Sequence, residues 1–379
     1  MKVGIDTFGC DNGRSGLGSY VLSLVSSLPQ DKSVVYDLFG PEVDRYTYTR
    51  SKDYGFTSVN LPDSLTVERL WHSFRINRFG RRNGYDVILY AAGARILPQK
   101  FKVPGVAVVN DVVSSLFKYS DDHWLRKCIK KGLSSADTII AASEYIKQDL
   151  TAAGITPRRV KVVYNGINHS MFYPAESVGA DGSIIDIKPF AIKKPYLIYP
   201  SRVQNEGKKH VELIKAFSRF KEKTHLPHRL VIAGSEGPYV DVVRKTAAAS
   251  CAASDIFMTG YFPHENFPEL YRNADACLFP SVNEGVGLPV LESLACGLPV
   301  ACSAAGALHE IAGENALYFD SDDIEAAALA IERIVTDTGL REQLSRQGIQ
   351  WARQFSWEKT AAETAAVLQE VAASRRRKS

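Results

Sequence analysis

The sequence predicts an α/β protein built from two Rossmann-like domains, and three observations carry that reading. First, short apolar β-rich runs alternate with helical patterns along the whole chain, as in parallel sheets covered by helices. Second, six such runs fall in each half. They are Val3–Ile5, Val34–Phe39, Val87–Tyr90, Val106–Val109, Thr138–Ala141 and Val160–Tyr164, then Tyr196–Tyr199, Leu230–Ala233, Ile256–Thr259, Ala276–Phe279, Val300–Ser303 and Leu317–Phe319. Third, 379 residues exceed what one core usually holds. Pro174 and Pro195 bound a linker-like stretch containing Gly179-Ala180-Asp181-Gly182-Ser183. The expected domains are therefore residues 1–185 and 186–356, closed by an Ala-rich helix at 357–379 that begins at Phe355-Ser356-Trp357.

Composition narrows the function classes. At 45% apolar and 23% charged the chain is ordinary for a globular protein, and no apolar run reaches the length needed to cross a bilayer. Met1-Lys2 leads straight into a strand with no apolar leader, so a cytoplasmic location is expected. Six scattered cysteines without metal-ligand spacing read as reduced thiols. The net charge of +4 is local: residues 68–82 carry five arginines against Glu68, and Arg375-Arg376-Arg377-Lys378 forms a basic tail. Nucleic-acid binding, which needs a basic face, is not expected.

The densest chemistry lies in Pro280-Ser281-Val282-Asn283-Glu284-Gly285-Val286-Gly287-Leu288-Pro289-Val290-Leu291-Glu292, followed by Ala295-Cys296-Gly297-Leu298-Pro299-Val300. Two carboxylates, Glu284 and Glu292, flank a glycine turn that feeds a helix, with Pro289 in its first turn and Gly297 at its end. Free amides at that helix start suit a phosphate, and the carboxylates suit hydroxyl groups. Upstream, Tyr199-Pro200-Ser201-Arg202 and Lys208 place two cations after a strand, where they would stabilise an anion that builds up as a diphosphate leaves. Lys209 is a second candidate for the lysine. A glycine-rich loop, Ser15-Gly16-Leu17-Gly18-Ser19-Tyr20, follows the first strand.

These motifs resemble the retaining glycosyltransferases of family 4, whose fold is GT-B: two Rossmann-like domains facing each other across a cleft, with the terminal helix crossing back to the first. The family's Glu-Gly-Phe-Gly-Leu-Pro block is matched with only Val286 in place of Phe, and its second Glu and Ala-Cys-Gly-x-Pro-Val run are present. The resemblance implies that Glu284 contacts the transferred sugar, that Glu292 holds the ribose, and that Gly285, Val286, Gly287 and Leu288 line the donor. It implies that Arg202 and Lys208 hold the diphosphate, with Ser201 where Gly is usual. Gly16 corresponds to a loop facing the diphosphate and the acceptor, with Ser15 replacing a glycine. Tyr261 and Phe262, in Thr259-Gly260-Tyr261-Phe262-Pro263, correspond to a nucleobase pocket, and Gly234 to another nucleotide-side loop. Asn110, in Val108-Val109-Asn110-Asp111, stands where the family has His; it can position a sugar but holds no proton near neutral pH.

The implied reaction moves a sugar from a GDP- or UDP-linked donor to a glycan or lipid-linked acceptor, with retention and without metal or other cofactor. The start Val3-Gly4-Ile5-Asp6 resembles the subgroup with mannosyltransferases of bacterial surface polysaccharides, which favours GDP-mannose. Val67, Leu70, Trp71 and Phe74 among Arg69, Arg75 and Arg78 read either as a helix packed on its own domain or, with the basic tail, as a contact for an anionic membrane surface. Two other classes stay open: a non-catalytic nucleotide-sugar-binding subunit, and a nicotinamide dehydrogenase using Asp37.

Overall fold

In a computed structural model, residues 1–49, 54–119, 122–175 and 182–376 are described, Arg375 and Arg376 by backbone alone. The side chains of the basic tail and part of the 179–183 run lie outside the described residues. The chain divides into two compact units, Met1–Gly166 with Phe355–Ser379, and Ile167–Gln354. The first boundary thus precedes the Pro174–Pro195 stretch, because that stretch is not all linker. Strands β8 (Ile184–Ile187) and β9 (Phe190–Lys193) form an antiparallel hairpin there, and Phe190 stacks on Phe262 of the second unit.

The first unit holds β1 (Lys2–Asp6), β2 (Val35–Gly40), β3 (Gly55–Ser58), β4 (Val87–Tyr90), β5 (Gly105–Val109), β6 (Thr138–Ala141) and β7 (Val160–Val162). They form one parallel sheet in the order β3-β2-β1-β4-β5-β6-β7. β1 lies between β2 and β4, in register Val3↔Tyr36 and Val3↔Val87. β3 was not expected: Gly55-Phe56-Thr57-Ser58 has a single large apolar residue and no run to detect. The central strands β4 and β5 are buried along their whole length, as strands covered on both faces must be.

The closing helix Trp357–Arg376 belongs to this unit. Its Trp357 meets Tyr20 edge-on at 5.7 Å, its Ala361 and Leu368 are buried, and its Thr360 hydroxyl donates to the Tyr164 carbonyl at 2.7 Å. Gly166 permits that docking, since a Cβ there would lie 2.2 Å from the Ser356 carbonyl carbon and the Trp357 nitrogen.

The second unit holds β10 (Tyr196–Pro200), β11 (Arg229–Ala233), β12 (Ile256–Gly260), β13 (Ala276–Phe279), β14 (Val300–Ser303) and β15 (Leu317–Phe319). Their order is β12-β11-β10-β13-β14-β15, all parallel. Strand order reverses between the neighbours β10 and β13, which pair through Leu197↔Ala276 and Ile198↔Cys277. Chain leaving the carboxyl ends of two such strands diverges and opens a crevice, the usual ligand position in an open α/β sheet. No helix among the described residues is long and apolar enough to cross a membrane.

Candidate functional site

The segments that follow β10 and β13 carry the charged residues singled out in the sequence, so both enter the crevice at the reversal point of the second sheet. After β10 the chain passes Ser201 and Arg202 and closes a 3-10 turn, Glu206–Lys208, whose start is capped by Asn205 accepting from Gly207 N at 3.1 Å. The Tyr199 hydroxyl donates to the Lys208 carbonyl at 2.6 Å, tying this turn back to its own strand. After β13, Val282 N donates to the Gly207 carbonyl at 3.0 Å and joins the two loops directly. Ser303 and Ser321 each donate to carbonyls of the second loop, at Ser281 and Pro280, at 2.6 Å.

This scaffold brings Lys208 and Glu284 together. Lys208 Nζ donates to Glu284 Oε1 at 2.5 Å, with 24% and 14% of the two side chains exposed, so the pair is sheltered yet reachable from solvent. The adjacent lysine is otherwise engaged: Lys209 binds Asp322 and Glu212, and the Asp322 hydrogen bond pushes its pKa up. Of the two lysine candidates, Lys208 is therefore the one that faces Glu284. Lys209 sits at φ +56°, a left-handed conformation that disfavours a side chain. His210, buried against the Tyr199 ring at 4.7 Å, has its pKa pushed down to about 4 by burial and adds no charge at neutral pH. Arg202 is exposed and makes no ion pair among the described residues. Its loop is fixed by Gly234, where a Cβ would lie 2.3 Å from the Ser201 carbonyl oxygen.

The glycine turn behaves as the sequence predicts. Gly287, at φ +69°, precedes the helix Leu288–Ala295, which has proline in its first turn and ends before Gly297 at φ +72°. Val290 N donates to the Gly287 carbonyl at 3.0 Å, whereas the N–H groups of Val286, Gly287 and Leu288 have no acceptor among the described residues. Consecutive unpaired amides at a helix start form a cradle for an anion. Gly306, which sequence reasoning missed, holds Glu284 in place. A Cβ there would lie 2.7 Å from the Glu284 carbonyl oxygen, and Ala307 N donates to that oxygen at 2.8 Å.

Glu292 occupies a separate environment. It is 8% exposed on the same helix, with Oε2 accepting from the Tyr271 hydroxyl at 3.0 Å and Oε1 lying 3.5 Å from His264 Nε2. The hydrogen bond to Glu292 raises the His264 pKa, and His264 and Tyr271 both pack against Phe172. Tyr271 and His264 also went unnoticed in the sequence, because no spacing links them to Glu292. Of the two aromatic candidates, Tyr261 is 74% exposed, whereas Phe262 is core. The Phe262 ring packs on Phe190 and Phe267, so its side chain is unavailable to a base.

In the first unit, Ser15 caps the helix Gly16–Ser27 by accepting from Gly18 N at 3.2 Å, which accounts for a side chain where a glycine was expected. Gly16 has open space around its α-carbon, whereas a Cβ at Gly18 would lie 2.4 Å from the Cys10 carbonyl oxygen. Gly16 is thus the residue whose surroundings leave room for a ligand, and Gly18 is a packing glycine. Asn110 Oδ1 accepts from Asn165 Nδ2 at 3.4 Å, leaving the Asn110 amide nitrogen to donate elsewhere. Asp37 is buried and takes hydrogen bonds from the hydroxyls of Tyr85 and Thr57, with Lys2 at 3.4 Å. At 6% exposed, with its Oδ2 taken up by these groups, it is a buried strand residue and is not presented to a ribose, which weighs against the dehydrogenase reading.

The basic segment at 67–82 is two helices, Leu65–Phe74 and Ile76–Arg82. Trp71 turns inward onto Phe8 and Phe79, while Leu70 and Phe74 stay exposed, so the apolar residues divide between two faces instead of forming one stripe. Of the cysteines Cys251 is exposed, and all six are free thiols.

Comparison with known proteins agrees with this architecture. Residues 14–171 match the model described as Glycosyltransferase Family 4, and residues 183–351 match Glycosyl transferases group 1. The chain is 26% identical over 369 residues to O-antigen chain mannosyltransferase B of Escherichia coli, covering 92% of this chain and 94% of that protein. It is 32% identical over 241 residues to a D-inositol 3-phosphate glycosyltransferase of Streptosporangium roseum, covering 61% of this chain and 54% of that protein. Sucrose-phosphate synthase from Thermosynechococcus elongatus shares the fold with a TM-score of 0.74 at 19% identity, over 99% of this chain and 100% of that one. HepE of Anabaena in complex with UDP and glucose aligns with a TM-score of 0.73 at 17% identity, over 98% and 100%. Two parallel sheets of this order, the loops at the reversal point of the second, and these matches across both units make the chain a family 4 glycosyltransferase with the GT-B fold.

Proposed function

We propose that this glycosyltransferase moves a hexose, with mannose from GDP-mannose the best candidate, from a nucleoside-diphosphate donor to a glycan or lipid-linked acceptor in polysaccharide synthesis. The observation that carries the reading is the Lys208–Glu284 pair beside unpaired amides at the reversal point of the second sheet. Similarity to O-antigen chain mannosyltransferase B along nearly the whole chain favours mannose. Solved relatives with UDP or UDP-glucose bound support a nucleotide-sugar donor in general and leave the base open between GDP and UDP.

The steps follow from charge. As the glycosidic bond lengthens, negative charge grows on the diphosphate, and Arg202, Lys208 and the amides of Val286–Leu288 stabilise it. Glu284 accepts from sugar hydroxyls and, being anionic, steadies positive charge developing at the anomeric carbon. Glu292, held by Tyr271, accepts from the ribose hydroxyls. The departing phosphate takes the acceptor's proton on the same face, so the configuration is retained and Asn110 need only donate a hydrogen bond to the sugar. Cations supplied by side chains make a metal unnecessary in this scheme. Peripheral attachment to the inner face of a membrane, through exposed Leu70 and Phe74 with their neighbouring arginines, would present a lipid-linked acceptor.

The experiment is product analysis with the purified chain, GDP-mannose or UDP-hexoses, and a lipid-linked glycan acceptor. Transfer with retained configuration supports the reading; tight donor binding with neither transfer nor hydrolysis would favour a binding subunit, the alternative that Asn110 in place of His keeps open.

A further inference from the structure

We propose that the second unit carries an anion site on the edge opposite its donor loops, built for a small molecule with two phosphoryl groups. A cavity of about 790 Å³ lies there, within the range of small-ligand sites. Its floor is the chain entering β13 and β14, Ala274–Asp275 and Cys296–Pro299, which are the amino ends of those strands, whereas Arg202 and Glu284 follow carboxyl ends. One face of the helix Thr338–Ala352 forms its wall.

Four arginines line this cavity: Arg272, Arg341, Arg346 and Arg353. Two are already engaged by the protein. Arg272 lies over the Tyr173 ring at 4.5 Å with its Nε donating to the Pro268 carbonyl, and Arg341 sits 3.5 Å from Asp275. The other two, Arg346 and Arg353, have no carboxylate partner among the described residues, although Glu342 lines the same wall. Seven positions apart, Arg346 within the helix and Arg353 at its αR C-cap, they stand roughly 10 Å from each other. Guanidinium groups bind phosphoryl oxygens in pairs, and this spacing engages two separated groups, not one compact ion. Leu298, Pro299 and Ile349 supply an apolar surface for the carbon frame between them. Tyr271 borders the cavity while its hydroxyl holds Glu292, so the ligand would rest against the back of the donor-side carboxylate.

The proposal stands independently of the transfer reaction, and its test separates the two sites. Fructose 1,6-bisphosphate is the probe, with fructose as the uncharged control, in isothermal titration of the full chain. The expected result is one saturable site, weakened at least tenfold by Arg346→Ala with Arg353→Ala and retained in Arg202→Ala with Lys208→Ala. Both substituted pairs are tested for native melting, and single Arg346→Gln and Arg353→Gln variants, each expected to show an intermediate loss, replace the double variant if it does not fold. No saturable binding, binding indifferent to Arg346 and Arg353, or loss on removing Arg202 and Lys208 would each overturn the assignment.

Discussion

Gly234→Ala tests whether the loop after β10 acts through the position of Arg202. The added Cβ would lie 2.3 Å from the Ser201 carbonyl oxygen, 2.5 Å from its carbon and 2.9 Å from Arg202 N, all backbone atoms. Ordinary contact begins near 3.4 Å, so one segment must retreat by about 1 Å. Overpacking of this kind costs roughly 1–3 kcal/mol, and each kcal/mol lowers the melting point of a unit this size by about 2–4 °C. A displacement of about 1 Å in a group that stabilises the transition state costs on the order of 100-fold in rate. Steady-state turnover with saturating donor should therefore fall about 100-fold while the protein still melts cooperatively a few degrees lower. Gly339→Ala is the control, because its Cβ would meet only Asp337 Oδ1 at 3.5 Å, and it should change neither quantity markedly. A Gly234→Ala protein that loses stability but keeps its turnover would refute the positional argument.

Other consequences are open to measurement. Glu284→Gln should cut turnover by about 100-fold or more while nucleotide affinity survives, since the amide keeps the shape but loses the charge opposite an oxocarbenium ion. Tyr271→Phe removes the hydroxyl that donates to buried Glu292; a hydrogen bond to a charged group is worth about 1.5–3 kcal/mol, so nucleoside-diphosphate affinity should drop roughly tenfold by calorimetry with turnover nearly kept. Burial pushes the Asp44 pKa up to about 6. The Thr7 hydroxyl lies 2.6 Å from Asp44 Oδ2 and 3.2 Å from the Phe39 carbonyl, and a protonated Asp44 can donate to Thr7 while Thr7 donates to Phe39. A folded pKa above the unfolded one means the native state binds the extra proton. The associated stability is present below about pH 4 and lost as pH rises through about 6. Asp44→Asn should flatten the stability profile over that window in denaturant titrations. Chelator should leave transfer intact, and lost activity would remove the metal-free scheme.

The sequence made the donor side legible because the chemistry there is contiguous. Pro289 and Gly297 mark the helix, Gly287 takes the left-handed turn, and Glu284 and Glu292 are fixed by short spacing. The strands of both sheets were legible wherever burial on two faces demands an unbroken apolar run. β3 and the β8–β9 hairpin were not: the first has one large apolar side chain, and the second sits between prolines in a composition typical of linkers. Partners distant in sequence were invisible for a different reason. Nothing local ties Tyr271 to Glu292 or Gly306 to Glu284, since those contacts arise only when neighbouring strands place their loops side by side. Phe262 and Tyr261 show the same limit: both lie just past the end of β12, and only the packing of Phe262 against Phe190 and Phe267, distant in sequence or just downstream, makes it the core residue of the two.

The central claim is that a nucleoside diphosphate is held by the loops after β10 and β13. Titrating the native chain and an Arg202→Ala, Lys208→Ala variant with GDP and UDP tests it most directly. The account predicts one site in the native chain and at least a tenfold weaker one in the variant, with Arg346→Ala and Arg353→Ala leaving that affinity unchanged. Equal affinity with and without Arg202 and Lys208 would contradict it.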